Sequence, residues 1–123
     1  MFGDLCLQRV AEALREAMPH ETDILARYGG EEFVVLLPDS DASRAAIVAE
    51  RLRAAVASFT VKAADEPIVL TCSIGGATML PIQDLDPKYL LEQSDVCLYK
   101  AKAAGRNCYV AAETSPNNKL QAE

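Results

Sequence analysis

Ala26 to Leu37 reads ARYGGEEFVVLL, a glycine pair and two glutamates set between two runs of strand-forming residues. Strands joined by so short a polar stretch have room only for a tight antiparallel hairpin, and glycine supplies the positive backbone angles its turn needs. Asp23 to Tyr28 is the entering strand, with Ile24, Ala26 and Tyr28 on one face. Phe33 to Leu37 is the leaving strand, expected to be buried on both faces because no polar residue alternates with its apolar ones.

The flanking sequence reads as helices. Leu7, Val10, Ala11, Leu14 and Met18 recur at helical spacing, with Gln8, Arg9, Glu12, Arg15 and Glu16 opposite, which predicts an amphipathic helix ending near Pro19. Asp41 is placed to cap a second helix whose apolar stripe is Ala45, Val48, Ala49, Leu52 and Val56. Ile68 to Met79 is the third strand, where Gly75–Gly76 marks a bulge or a close backbone approach. Asp86 and Pro87 open a last helix carrying Leu90, Leu91, Leu98 and Ala101, with Gly105 at its stop and Tyr109 to Ala112 as a final strand. Helices alternating with strands predict an α/β (α+β) sandwich, helices packed on a sheet, over residues 1–112. Residues 113–123 are polar and lack periodicity, so they are expected to be a disordered tail.

Several function classes fall away on composition. No apolar run reaches membrane-spanning length, so the domain is expected to be cytoplasmic without membrane contact. A net charge of −6 argues against the basic surface that nucleic-acid binding requires. Cys6, Cys72, Cys97 and Cys108 lack the close spacing of a zinc site and are expected to be reduced, buried and hydrophobic in role.

The glycines of the hairpin explain themselves, but the glutamates do not. Adjacent like charges repel, and here the next residue starts an apolar strand. Two carboxylates fixed at the end of a sheet suit a hard cation such as Mg²⁺, which takes one or two carboxylates completed by water and substrate phosphates. Glycine would let a phosphate approach the backbone. A solvated acidic turn is the alternative reading of the same residues.

Arg27-Tyr28-Gly29-Gly30-Glu31-Glu32-Phe33 resembles the signature turn of the GGDEF family, the diguanylate cyclases, in its GGEEF form. Gly3-Asp4-Leu5 with Val10-Ala11 is similar to the family's GDxxLxxVA helix start, and Thr71-Cys72-Ser73-Ile74-Gly75 to its TxSIG strand. Ser94-Asp95 with Leu98 to Asn107 resembles its ADxALYxAKxxGRN helix end, so the likeness covers nearly all of residues 3 to 110.

The resemblance implies a sheet like the palm of nucleotidyl cyclases and polymerases, and the condensation of two GTP into cyclic dimeric GMP with release of pyrophosphate. It implies a homodimer in which each subunit presents one GTP, and a sensor domain upstream. Glu31 is implied as a ligand of Mg²⁺ or Mn²⁺, and Glu32 as a further carboxylate near the metal that helps activate the attacking hydroxyl. Gly29 and Gly30 would leave room for nucleotide, Asp4 would accept hydrogen bonds from the guanine edge, and Lys102 and Arg106 would hold the terminal phosphates. Their four-residue separation predicts that they share one side of a helix.

Two departures from the family pattern carry expectations of their own. The family's domain opens before the GD motif, with a central strand ending in a metal-binding aspartate and a helix carrying a guanine-reading asparagine; neither is present between Met1 and Asp4. The 123 residues are therefore read as a truncated domain of impaired activity. The alternative is a catalytically silent module that binds nucleotide or protein. The gap left in the sheet is expected either to close, the Phe33 strand pairing with the Thr71 strand, or to drive self-association. The second departure is His20-Glu21-Thr22-Asp23, where relatives carry an inhibitory RxxD. Histidine lacks arginine's planar fork, so product binding at His20 and Asp23 is expected to be weak.

Overall fold

The computed structural model describes residues 2–63, 66–79 and 86–112, the side chains of Phe2, Asp4, Ala63 and Pro87 excepted. The expected tail at 113–123 lies outside the described residues. In chain order the elements are α1 (Phe2–Ala17), β1 (Ile24–Gly29), β2 (Glu32–Leu36), α2 (Ala42–Ala57), β3 (Thr60–Ala63), β4 (Glu66–Val69), β5 (Ile74–Ala77), α3 (Pro87–Ala103) and β6 (Tyr109–Ala112).

Local chemistry sets the helix ends. The Asp41 carboxylate accepts from Arg44 N–H at 2.8 Å and starts α2. Asp86 does the same for α3 by accepting from Lys88 N–H at 2.9 Å, with Pro87 in the first turn. At the other end Gly105 (φ +115°) reverses the chain. Gly105 N–H donates to Lys102 O at 3.4 Å and Arg106 N–H to Ala101 O at 3.0 Å, the paired bonds of a glycine C-terminal motif.

The core lies between helices and strands. Leu14 and Ala17 of α1 meet Val48, Leu52 and Val56 of α2, and Leu25, Phe33, Val35, Leu70 and Ile74 pack against them. Val56 is 0% exposed, and burying a side chain of that kind contributes about 1.5–3 kcal/mol. Successive strand residues point to opposite faces, so with Ile74 on the α1–α2 core Gly75 faces α3. A Cβ on Gly75 would fall 2.6 Å from Leu98 Cα, and nearer still to Leu98 N and Ser94 O. The close approach expected at Gly75–Gly76 is thus real, and it seats α3 on β5.

Pairing differs from the single sheet the sequence suggests. Among the described residues the strands form three two-stranded sheets: β1 with β2 and β3 with β4 antiparallel, and β5 with β6 parallel. The run from Ile68 to Met79 is two strands, β4 and β5, which belong to different sheets. Thr60–Ala63 is an unanticipated strand, opposed residue for residue to Glu66–Val69. Among the described residues β2 and β5 are not paired, so the gap between them is not closed.

The Phe33 strand is not buried on both faces: Leu36 is 49% exposed. Among the described residues helices cover the side of the hairpin that carries Leu25, Phe33 and Val35, while Ile24, Tyr28 and Leu36 are exposed. Of the four free cysteines only Cys97 is fully buried; Cys6, Cys72 and Cys108 are half-buried.

Candidate functional site

The signature turn is a hairpin with a defect built into it. Arg27 pairs with Phe33 and Gly29 with Glu32, so Tyr28 is an extra residue on β1 and the strand bulges there. Gly30 and Glu31 form the two-residue tip, and of the glycine pair only Gly30 is left-handed, at φ +53°. The expectation of positive angles at both glycines is corrected to that one position. A Cβ on either glycine would meet nothing within 4 Å, so the space over the turn is open.

Arg27 closes the turn. Its Nε and Nη2 donate to Gly30 O at 2.9 and 2.6 Å, tying the last regular pair of the hairpin to its tip. This contact leaves the carboxylates of Glu31 and Glu32 exposed and, among the described residues, outside the ion pairs. A two-residue tip held by a guanidinium fork can present both carboxylates to a ligand in solution. Two carboxylates beside open space fit the donor set of Mg²⁺. Among the described residues no group of three His, Cys, Asp or Glu side chains gathers to hold a metal.

Asp4 lies in the first turn of α1, and its side chain is outside the described residues. Lys102 is exposed in the last turn of α3. Arg106 does not continue that helix: α3 ends at Ala103 and Arg106 has φ +65°. The expected shared helical side for Lys102 and Arg106 is corrected accordingly, because the reversal at Gly105 intervenes. No hydrogen bond or ion pair among the described residues joins Lys102 or Arg106 to the Glu31–Glu32 turn, which belongs to a separate sheet.

The His20–Asp23 segment has a different chemistry from the one its spacing suggests. Arg44 Nη2 donates to Asp23 Oδ2 at 2.9 Å, and the Asp23 side chain is only 1% exposed. Ser40 Oγ accepts from the same guanidinium. His20 is exposed beside a cleft of about 380 Å³ lined by Arg15, Met18 and Leu25 among others.

The Arg44 hydrogen bond holds the Asp23 carboxyl below the ordinary aspartate value of 3.8, burial opposing it in part. A depressed folded-state value means the pair stabilises the fold above the unfolded value and that this is lost as pH falls through the folded one. Asp23→Asn is therefore expected to flatten the drop in melting midpoint below pH 3.8 relative to the parent. Equal acid sensitivity of the two proteins would contradict the pair's role. Cys72, near Arg53, is no nucleophile, since burial pushes its thiol up to about 11.

Residues 1–108 match the family model described as "Diguanylate cyclase, GGDEF domain". The chain belongs to the GGDEF domain family. It is 40% identical over 107 residues to Diguanylate cyclase DgcP of Pseudomonas aeruginosa, covering 87% of this chain and 16% of that one. It superposes with TM-score 0.80 and 31% identity on diguanylate cyclase SiaD, solved in complex with its activator SiaC from Pseudomonas aeruginosa, over 89% of this chain and 41% of that one. The GGDEF domain of DgcB from Caulobacter crescentus, in complex with c-di-GMP, gives TM-score 0.79 and 31% identity over 90% of this chain and 65% of that one. The chain therefore spans about a sixth of DgcP. Among the described residues no helix is long and apolar enough to cross a membrane.

Proposed function

We propose that this chain is the catalytic-type portion of a cytoplasmic diguanylate cyclase, acting on GTP with Mg²⁺ or Mn²⁺ as a homodimer and controlled by a domain elsewhere in a longer protein. The observation that carries the reading is the Arg27-fixed turn, which leaves two exposed carboxylates beside open glycines. Family membership supports it, as do the names of the relatives.

Glu31 and Glu32 would hold the divalent ion, with Gly29 and Gly30 giving the nucleotide room. Lys102 and Arg106 would bind the terminal phosphates, and Asp4 would accept from the guanine edge. When bound, the ion supplies charge neutralisation at the phosphates and acidifies the attacking hydroxyl. The 3′-hydroxyl of one GTP forms a bond to the α-phosphorus of the other, whose bond to pyrophosphate breaks. Glu32 would take up the hydroxyl proton. Two such steps, one from each subunit, close the ring and release two pyrophosphates. Most of the rate comes from position and charge, since phosphoryl transfer asks little covalent chemistry of the protein.

For the 123 residues by themselves we infer low turnover, because among the described residues no strand joins the sheet of the carboxylate turn to the sheet on which α3 packs. This favours a nucleotide-binding module as the second reading for the isolated chain. Inhibition by product at His20 and Asp23 is expected to be weak, since Arg44 already occupies the aspartate.

The experiment is a GTP titration with and without Mg²⁺. Mg²⁺ is expected to tighten GTP binding by about tenfold, close to 1.4 kcal/mol, and Glu31→Ala to remove that increment. An undiminished Mg²⁺ effect in Glu31→Ala would refute the metal assignment.

A further inference from the structure

Among the described residues, two successive left-handed positions follow α3. Arg106 (φ +65°) and Asn107 (φ +48°) are consecutive non-glycine residues in the left-handed region. L residues adopt that region singly and rarely, and such conformations persist only where the surroundings over-determine them. Asparagine tolerates it through its short polar side chain; arginine has no such side chain, and its backbone N–H bond to Ala101 O belongs to the helix stop.

What over-determines the turn comes from two distant elements. Asn107 N–H donates to Ser73 Oγ at 3.2 Å, just before β5. Arg53 of α2 donates from Nη1 to Asn107 Oδ1 at 2.9 Å. Its Nε donates to Glu50 Oε2 at 2.9 Å, and its Nη2 pairs with Glu50 Oε1. One guanidinium thus holds a carboxylate on one edge and the Asn107 amide on another, a geometry that a lysine cannot reproduce. The chain then enters β6 through Ile74 N–H to Cys108 O at 2.9 Å.

We propose that Arg53, oriented by Glu50, is a positioning residue that works with Ser73 through Asn107 to hold Arg106 in its left-handed turn, ready for a phosphate. This rests on the reading above that Arg106 binds the terminal phosphates of GTP. Arg53 lies 54 residues from Asn107 and touches no substrate in this account. Its effect on anion binding must therefore pass through Arg106.

The test is a double-mutant cycle on the 123-residue chain, with inorganic pyrophosphate as probe and affinity read by NMR titration. Arg106→Ala is expected to weaken binding about tenfold, and Arg53→Met about fivefold. Arg53→Lys, which keeps one donor, is expected to fall between Arg53→Met and the parent. In the Arg106→Ala background Arg53→Met should cost nothing more. If Arg53→Met leaves affinity unchanged while Arg106→Ala weakens it, the positioning role is overturned and the phosphate reading stands. An equal loss from Arg53→Met in both backgrounds would mark a general structural effect and also overturn the positioning role. Failure of the parent to bind, or an Arg106→Ala variant that binds as well as the parent, would overturn the phosphate reading and the inference with it.

Discussion

Gly75→Ala is expected to lower the melting midpoint by more than about 10 °C, from a destabilisation of about 3 kcal/mol or more. The added methyl would meet backbone atoms, Leu98 N and Cα and Ser94 O, not the tips of flexible side chains. Relief would require α3 to lift from β5, and with it the turn that carries Arg106. Such a loss takes a large share of a typical net stability of about 5–15 kcal/mol. Two further glycines make the comparison internal. Gly76→Ala meets the Tyr109 ring, with a Cβ 2.8 Å from Cε1, and a side chain can move aside. Gly29→Ala meets nothing within 4 Å and lies outside the left-handed region, so its effect on stability is expected to be small. The predicted order of midpoints by scanning calorimetry is therefore Gly29→Ala, then Gly76→Ala, then Gly75→Ala. A Gly75→Ala midpoint level with that of Gly29→Ala would show that β5 and α3 are not in the contact described.

The contrast among these glycines shows how far the sequence could be read. Features encoded by neighbouring residues were legible: the caps at Asp41 and Asp86, the stop at Gly105 and the hairpin around Gly30 all follow from local chemistry. The face exposure of the Phe33 strand was not. An unbroken apolar run cannot say whether a second layer covers its far side, and here Leu36 faces outward. Thr60–Ala63 escaped notice because four residues with a single lysine carry too little periodicity, and its partner Glu66–Val69 merged with the next strand. Long-range polar pairs have no local signal at all. Arg44 with Asp23 and Arg53 with Asn107 are 21 and 54 residues apart, and only the fold brings them together. The assignment of Arg106 to a helix face failed for a related reason, since spacing counts residues and the Gly105 reversal changes their direction.

The second large effect concerns the carboxylate turn. Supplied with the opening strand and helix of a relative's GGDEF domain, this chain is expected to make cyclic dimeric GMP, and Glu31→Ala to lower that rate by about 10²–10³-fold. Glu31 stands at the tip of the two-residue turn, fixed by the Arg27 contact to Gly30, so its removal takes charge from the site without disturbing the strands. Stability should hardly change, because Glu31 is exposed and enters no ion pair among the described residues. Loss of turnover without loss of melting midpoint separates this variant from Gly75→Ala, where both would fall.

The most direct test is product formation from GTP and Mg²⁺ by that completed domain, followed chromatographically beside its Glu31→Ala variant and the 123-residue chain alone. The account predicts cyclic dimeric GMP and pyrophosphate from the completed domain, little from the chain alone, and near silence from the variant. A Glu31→Ala protein that turns over at the parent's rate, or a folded completed domain that binds GTP and makes no product, would contradict it.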